Sequence, residues 1–339
     1  MDCQKTNIAV LGAGSWATAL AHRMATTHHK VMLWGRDKSV LEQIRLEHCN
    51  KKYFPEYTIH NGVVACADIT QAVKDASLII CAVPSSAMHN VCAEIKGYIK
   101  PDAFLVSAAK GFEEGTLRRM SEVIADASGA LSDRVLALSG PSFAKEVMMG
   151  LPTAIVLAGN NSKVVEQAAN YFHFGNMRIY SSTDLIGVEI GGAVKNVIAL
   201  AAGMVDGAKM GANARAALIT RGLAEMQRLV VSLGGDVLTV AGLSGLGDLL
   251  LTSTSDISRN KRVGVMLGQG LDLKNALAKV GQVVEGVTTA PKALLLSQNA
   301  KVDMPIVREV NNFLSAKVDI RGAMSNLLSR ARGKEFADF

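Results

Sequence analysis

No Cys-x-x-Cys pair occurs in this chain, and its five cysteines, Cys3, Cys49, Cys66, Cys81 and Cys92, are an odd number crowded toward the N-terminus. Neither a disulfide framework nor a zinc site is suggested, so the thiols read as reduced and mostly buried. Aromatic residues make up only 5% of the chain, charged residues 19%, and low-complexity segments and internal repeats are missing. With 49% hydrophobic residues, this composition is that of a globular protein rather than a fibrous or disordered one. A large excess of one charge sign is also lacking: the net charge is only +6 over 339 residues. That balance argues against nucleic acid as a partner and fits a basic pocket for a small anion. The most apolar stretch, Val197 to Val205, is interrupted by Gly203 and flanked by Lys195 and Asp206. It falls short of the roughly 20 residues that cross a bilayer. The start, Met1 to Asn7, is polar and leads straight into a strand pattern, which predicts no signal peptide, no stable membrane insertion and a cytoplasmic location.

A chain of 339 residues exceeds one typical core of about 150 residues, so two domains are expected. Apolar runs at Ile8–Leu11, Val31–Trp34, Leu78–Val83, Phe104–Val106, Val135–Leu138, Ile155–Leu157 and Ile179–Tyr180 alternate with helical stretches. Several runs are apolar at successive positions, as strands covered on both faces must be, which predicts a largely parallel, doubly wound α/β sheet. After about Gly187 the periodicity becomes helical and is punctuated by glycine. The expected division is a dinucleotide-binding domain over residues 1–186 and an all-helical domain over residues 187–339.

The nucleotide expectation comes from the first turn. Ile8-Ala9-Val10-Leu11 runs into Gly12-Ala13-Gly14-Ser15-Trp16-Ala17 and then into a helical pattern. Strand, G-x-G-x-x-A turn and helix follow in the order that a dinucleotide requires. Gly12 permits the tight turn, Gly14 lets the backbone approach a pyrophosphate, and small Ala17 lets helix and strand pack closely. The partial positive charge of the helix N-terminus then faces the phosphates. About twenty residues on, Trp34-Gly35-Arg36-Asp37 offers both a carboxylate for a ribose hydroxyl and an arginine for the extra phosphate of NADP. Arg36 also reads as an ordinary solvated arginine, and the spacing of Trp16 with Leu20 and Met24 equally suits packing.

Ligands of such sheets lie beyond the carboxyl ends of the strands. There the sequence places Val83-Pro84-Ser85, Ala109-Lys110-Gly111 and Ser139-Gly140-Pro141-Ser142-Phe143-Ala144. Lys110 would direct a cation into the cleft; Ser142 either caps the next helix or lends its hydroxyl to a ligand. In the helical half, Lys195 has Gly191, Gly192, Ile198 and Ala199 as its helical neighbours, and none can neutralise it. Such an ammonium either snorkels to water or serves in a cleft as a proton donor. Asp248 and the Ser258-Arg259-Asn260-Lys261-Arg262 cluster follow. The cluster reads as a solvated helix face or as a phosphate clamp.

Together Gly12-Ala13-Gly14-Ser15-Trp16, Lys110-Gly111, Gly140-Pro141-Ser142-Phe143-Ala144, Val194-Lys195-Asn196, Gly245-Leu246-Gly247-Asp248, Ser258-Arg259-Asn260 and Val284-Glu285-Gly286 closely resemble the NAD(P)-dependent glycerol-3-phosphate dehydrogenases of the bacterial biosynthetic type. The resemblance runs over nearly the whole chain, departing at Ala17 where many relatives have a third glycine. It implies an N-terminal Rossmann-like domain, a helical C-terminal domain, NAD(P)H as cofactor and a phosphorylated triose as substrate; the helical domain is expected to support a homodimer. It implies that Gly12, Gly14, Ser15, Trp16, Arg36, Lys110, Ala144, Arg259, Val283 and Glu285 contact the cofactor. Lys110, Gly140, Ser142, Lys195, Asp248, Ser258, Arg259 and Asn260 would surround the substrate, with Lys195, Lys110 and Asp248 catalytic. Two rivals share the architecture: a dehydrogenase of β-hydroxy acids or sugar acids, and a non-catalytic NADH sensor. The sensor gives no reason for Lys110, Lys195, Asp248 and Arg259 to occur together.

Overall fold

In the computed structural model, which describes residues 7–27, 30–331 and 335, the N-terminal half builds eight strands. They are Asn7–Leu11 (β1), Lys30–Trp34 (β2), Val63–Cys66 (β3), Leu78–Cys81 (β4), Phe104–Ser107 (β5), Val135–Ser139 (β6), Thr153–Ala158 (β7) and Met177–Ser182 (β8). One sheet contains them all, in the order β3-β2-β1-β4-β5-β6-β7-β8. All neighbours are parallel except β6 and β7, which pair antiparallel through Leu138 and Leu157. The first six strands therefore have the doubly wound arrangement in which the strand order reverses between β1 and β4, the position where such sheets open a nucleotide crevice.

Alternation along each strand explains the continuous apolar runs. Ile8, Val10, Leu33 and Ile80 face one buried layer with Leu20 and Met24 of the helix Ser15–Ala25. Ala9, Leu11, Ile79 and Cys81 face the other, with Met88 and Val91 of the helix Met88–Glu94. Both faces of the sheet are thus sealed from water by side chains one residue apart.

Two details depart from the sequence reading. Strand β3 was not expected, because only Val63 and Cys66 of its four residues are buried. It exists through edge pairing with β2, Val31 opposite Val63, which a period analysis does not register. The run expected over Leu78–Val83 ends as a strand at Cys81. There the chain turns so that Ala82 can lie against the Gly12 turn.

By its internal contacts the chain divides into Met1–Leu185 and Ile186–Phe339. Among the described residues the second unit contains helices and no strand. Its central helix, Leu185–Gly207, is 23 residues long and apolar enough to cross a membrane, but it is almost wholly buried within the protein. In the sequence Gly203 interrupts the apolar run Val197–Val205; the structure uses it as a packing surface. A Cβ at Gly203 would overlap the Lys261 carbonyl oxygen, and one at Gly207 the Val265 carbonyl oxygen. From the facing helix Arg259–Gly268, Gly264 meets the Leu200 carbonyl and Gly268 the Met204 carbonyl. Glycines four apart on each helix bring the two backbones together in two successive turns.

On the helix Ala212–Ser232, Glu225 is buried and accepts hydrogen bonds from the N–H groups of Ile306 (2.7 Å) and Val307 (3.2 Å). These belong to the first turn of the helix Pro305–Leu314, whose Pro305 has no N–H to satisfy. Burial outweighs the two N–H donors and pushes the carboxyl up to about 7.

Gly264→Ala should cost about 3 kcal/mol or more, since the new methyl meets backbone rather than a flexible side chain; a loss under about 1 kcal/mol in urea unfolding would disprove backbone contact there. A raised folded-state value means that the unfolded chain loses the Glu225 proton first, so stability is full in acid and declines as pH rises from about 4.5 to about 7. The decline attributable to this group is about 3 kcal/mol. Urea midpoints across that range should fall more steeply for the wild type than for Glu225→Gln, and parallel curves would contradict the burial account.

Candidate active site

In the first unit, β1 delivers the chain to Gly12, whose N–H donates to the Trp34 carbonyl at the end of β2 (2.8 Å). Its φ of +122° suits glycine, and a Cβ there would stand 2.7 Å from the Ala82 oxygen. Gly14 is different. Its φ is −74° and a Cβ would meet nothing within 4 Å, so neither backbone conformation nor protein packing requires a glycine. Close approach of a ligand to the backbone does require one, and Gly14 is the N-cap of the helix Ser15–Ala25. That helix points its first N–H groups, which have no partner inside it, toward the same place. The turn therefore fits a dinucleotide pyrophosphate. Ala17 is fully buried, and half-buried Trp16 packs against the same layer as Leu20 and Met24, as its spacing suggested.

At the end of β2 the guanidinium of Arg36 lies 5.9 Å from the Trp34 ring centroid and 3.2 Å from Glu94 Oε1. Asp37 caps the helix Lys38–Glu47. Hydrogen bonds from Ser39, Lys52 and the Val40 N–H hold its carboxyl below the usual range.

Beyond β5 and β6, Lys110 and Ser142 converge on one atom. Lys110 Nζ donates to the Gly140 carbonyl oxygen at 3.1 Å and the Ser142 hydroxyl donates to it at 3.0 Å. Gly140 has φ +133°, and a Cβ would press on Ile155. The expectation that Ser142 might cap the following helix is corrected. Phe143 occupies the N-cap of the helix Ala144–Met149, with no side-chain cap, because the Ser142 hydroxyl is turned back into the Gly140 turn.

The second unit holds the other constellation. Lys195, on the Leu185–Gly207 helix, is 5% exposed, and its Nζ donates to Asp248 Oδ1 (2.9 Å) and Thr252 Oγ1 (2.6 Å). The snorkelling reading is excluded: the ammonium is buried and paired with Asp248. The residues three and four positions away on its own helix supply no counter-charge; Asp248 arrives from the helix Asp248–Thr254. Directly before it, Leu243–Gly247 forms one wide π-helical turn, a geometry frequent at functional sites. Gly245 makes the turn possible, since a Cβ there would overlap the Val240 carbonyl. Gly191, one turn before Lys195, lets the Ser244 backbone come close, with 3.2 Å from a Cβ position to the Ser244 oxygen. Thr252 was missed in the sequence. Its signal was the i, i+4 spacing from Asp248, which puts both oxygens on one helix face.

Ser258, Asn260 and Lys261 are buried, so only Arg259 and Arg262 fit the solvated-face reading. The Ser258 hydroxyl caps the Arg259–Gly268 helix by accepting from the Lys261 N–H. Asn260 donates to Asn196 Oδ1 (2.8 Å) and accepts from the Gly286 N–H (2.9 Å), leaving one amide hydrogen for another partner. Lys261 is held by the Thr254 carbonyl and Asp256. Arg259 reaches Gln282 (3.4 Å), next to exposed Val283 and to Glu285 at the start of the helix Glu285–Asn299. Asn260 thus ties three helices together beside Lys195. Cys49, Cys66, Cys81 and Cys92 are free thiols away from these interactions, and Cys3 lies outside the described residues.

A doubly wound sheet with a pyrophosphate turn at its reversal point, in a chain that also buries an ammonium–carboxylate pair, defines a nicotinamide-nucleotide oxidoreductase. Comparison with known proteins makes the assignment narrower. Residues 7–165 match the N-terminal model, and residues 184–325 the C-terminal model, of NAD-dependent glycerol-3-phosphate dehydrogenase. The chain is 43% identical to the glycerol-3-phosphate dehydrogenase [NAD(P)+] of Carboxydothermus hydrogenoformans, over 97% of this chain and 98% of that one. It is 44% identical to that of Escherichia fergusonii over 99% of each. The crystal structure of glycerol-3-phosphate dehydrogenase from Coxiella burnetii superposes with a TM-score of 0.90 at 41% identity, covering 95% of this chain and 98% of that one. The chain belongs to the NAD-dependent glycerol-3-phosphate dehydrogenase family.

Asp248→Ala should destabilise the protein by about 3–5 kcal/mol, because it leaves the buried ammonium without its carboxylate. Adding Lys195→Met should recover most of that loss, as a double-mutant cycle in chemical denaturation can measure. Additive losses would mean that the two side chains do not share an interaction.

Proposed function

We propose that this chain catalyses the reversible NAD(P)H-dependent reduction of dihydroxyacetone phosphate to sn-glycerol 3-phosphate. The observation that carries the reading is the buried Lys195 centre, a protonated amine held by Asp248 and Thr252 in a chain whose other unit fits a dinucleotide. When bound, the reduced nicotinamide supplies the hydride. Gly12 would shape the turn, its own N–H being held by the Trp34 carbonyl, while Gly14 and Ser15 would bind the pyrophosphate through backbone N–H groups, Arg36 would meet the adenosine ribose, and Trp16, Lys110, Ala144, Arg259, Val283 and Glu285 would complete the contacts. Lys195 gives its proton to the oxygen of the former ketone, and a donor so placed is worth about a hundred- to ten-thousandfold in rate. Asp248 and Thr252 fix the direction of Nζ, and Asp248 offsets the cost of keeping its charge out of water.

Lys110 stabilises negative charge on the carbonyl oxygen, while Gly140 and Ser142 shape the turn that holds it. The substrate phosphate is a non-reacting dianion. Arg259, the remaining amide hydrogen of Asn260 and the helix start at Ser258 would bind it, at roughly 1.5–3 kcal/mol for each charge-assisted hydrogen bond. That anchoring places the ketone for reaction. The product supplies the glycerol phosphate backbone of membrane lipids; the expected setting is the cytoplasm and the expected assembly a homodimer.

Lys195→Met should lower turnover by about a hundred- to ten-thousandfold while NADPH affinity stays within about threefold. The comparison requires circular dichroism to confirm a folded variant. A loss below about fivefold would remove Lys195 from proton transfer. Oxidation of NADPH with a keto acid but none with dihydroxyacetone phosphate would replace this reading by the β-hydroxy acid alternative, and cofactor binding without any turnover by the sensor.

A further inference from the structure

Resting on the reading of the Gly12 turn as the dinucleotide seat, we propose that Glu94 is a specificity-determining residue, which sets the preference between NADPH and NADH by competing for Arg36. The two cofactors differ by one phosphate on the adenosine ribose. Sites of this kind separate them at the end of the second strand, with a carboxylate toward the free hydroxyl or a guanidinium toward the phosphate.

In this chain the carboxylate at that place is engaged. Asp37 accepts from the Val40 N–H (3.4 Å) and the Ser39 hydroxyl (2.8 Å), and Lys52 Nζ stands 3.2 Å away. Its charge is tied to the start of its own helix and matched by a lysine. Arg36 is the group that remains. Its side chain is 60% exposed and lies over Trp34, whose indole N–H is fixed on the Ala67 carbonyl at 3.2 Å. The guanidinium is nevertheless already shared. Glu94, the last residue of the helix Met88–Glu94, receives its NH2 group at 3.2 Å and is itself 47% exposed.

An ion pair so open to water is weak and does not lock Arg36 in place. Its effect on an incoming anion is larger. A ribose phosphate approaching Arg36 must displace the Glu94 carboxylate or tolerate it as a neighbour of like charge, whereas a ribose hydroxyl carries no charge to repel. Glu94 therefore penalises one cofactor and leaves the other nearly indifferent. It acts through Arg36 and need not touch the dinucleotide.

Calorimetric titration of the purified protein with NADPH and with NADH, without substrate, tests this. In Glu94→Gln the ratio of the NADH to the NADPH dissociation constant should rise about fivefold, and further in Glu94→Lys. In an Arg36→Ala background Glu94→Gln should raise the ratio by less than it does with Arg36 present, since the competition has no object and only the screened like-charge repulsion remains. A ratio within twofold of wild type in both single variants overturns the proposal. A fall in the ratio also overturns it, because Glu94 would then be supporting Arg36 rather than competing for it. If the wild type binds neither dinucleotide, the reading of the Gly12 turn fails and takes this one with it; normal binding of both with an unmoved ratio rejects Glu94 alone.

Discussion

An ammonium group is costly to bury, and the helical unit is organised around burying one. Lys195 is removed from water on a helix whose residues three and four positions away are Gly191, Gly192, Ile198 and Ala199, and its counter-charge Asp248 comes from a different helix. Asp248 and Thr252 meet the requirement from one face of a second helix. Their arrival depends on the wide turn at Leu243–Gly247, which depends on Gly245, and on the bare surface at Gly191. Polar placement at the site is thus a consequence of where side chains are absent.

The same logic extends along the central helix. Gly203 and Gly207 interlock with Gly264 and Gly268, and this contact sets the depth at which the Arg259–Gly268 helix lies. That depth puts the Asn260 amide on Asn196, the residue next to Lys195, and presents the Asn260 oxygen to the Gly286 N–H. A buried amide pair at the meeting of three helices is held in place because turning the Asn260 amide would give up its bonds to Asn196 and to the Gly286 N–H. The proposed phosphate donors therefore sit on a framework fixed by backbone contact rather than by flexible side-chain packing.

In the sheet unit the constraints are of another kind. Strand ends are held in register by the hydrogen bonds of the sheet, and the turns beyond them inherit that precision: Gly12 against Ala82, Lys110 and Ser142 on the Gly140 carbonyl. Glycine serves two separate purposes within three residues, conformation at Gly12 and access at Gly14. Charges at the rim are exposed and exchangeable, as with Arg36, Glu94, Asp37 and Lys52, which suits a surface that selects among related anions.

By itself the sequence determined the doubly wound half, because strands buried on both faces must be continuously apolar and a pyrophosphate turn must carry glycines at fixed offsets. It also marked Lys195, since a cation among small neighbours stands out within one helical turn. What lies within about four residues, or repeats with the period of a strand or helix, is written locally. Strand β3, the hydroxyl of Ser142, the partnership of Thr252 with Lys195 and the bond between Asn196 and Asn260 were decided by tertiary structure. Each joins groups whose meeting depends on how whole elements pack, 57 residues apart for Lys195 and Thr252 and 64 for the two asparagines. Glycines that looked like interruptions in an apolar run became the contact surface for the same reason: the value of a missing side chain is set by the backbone that fills its place.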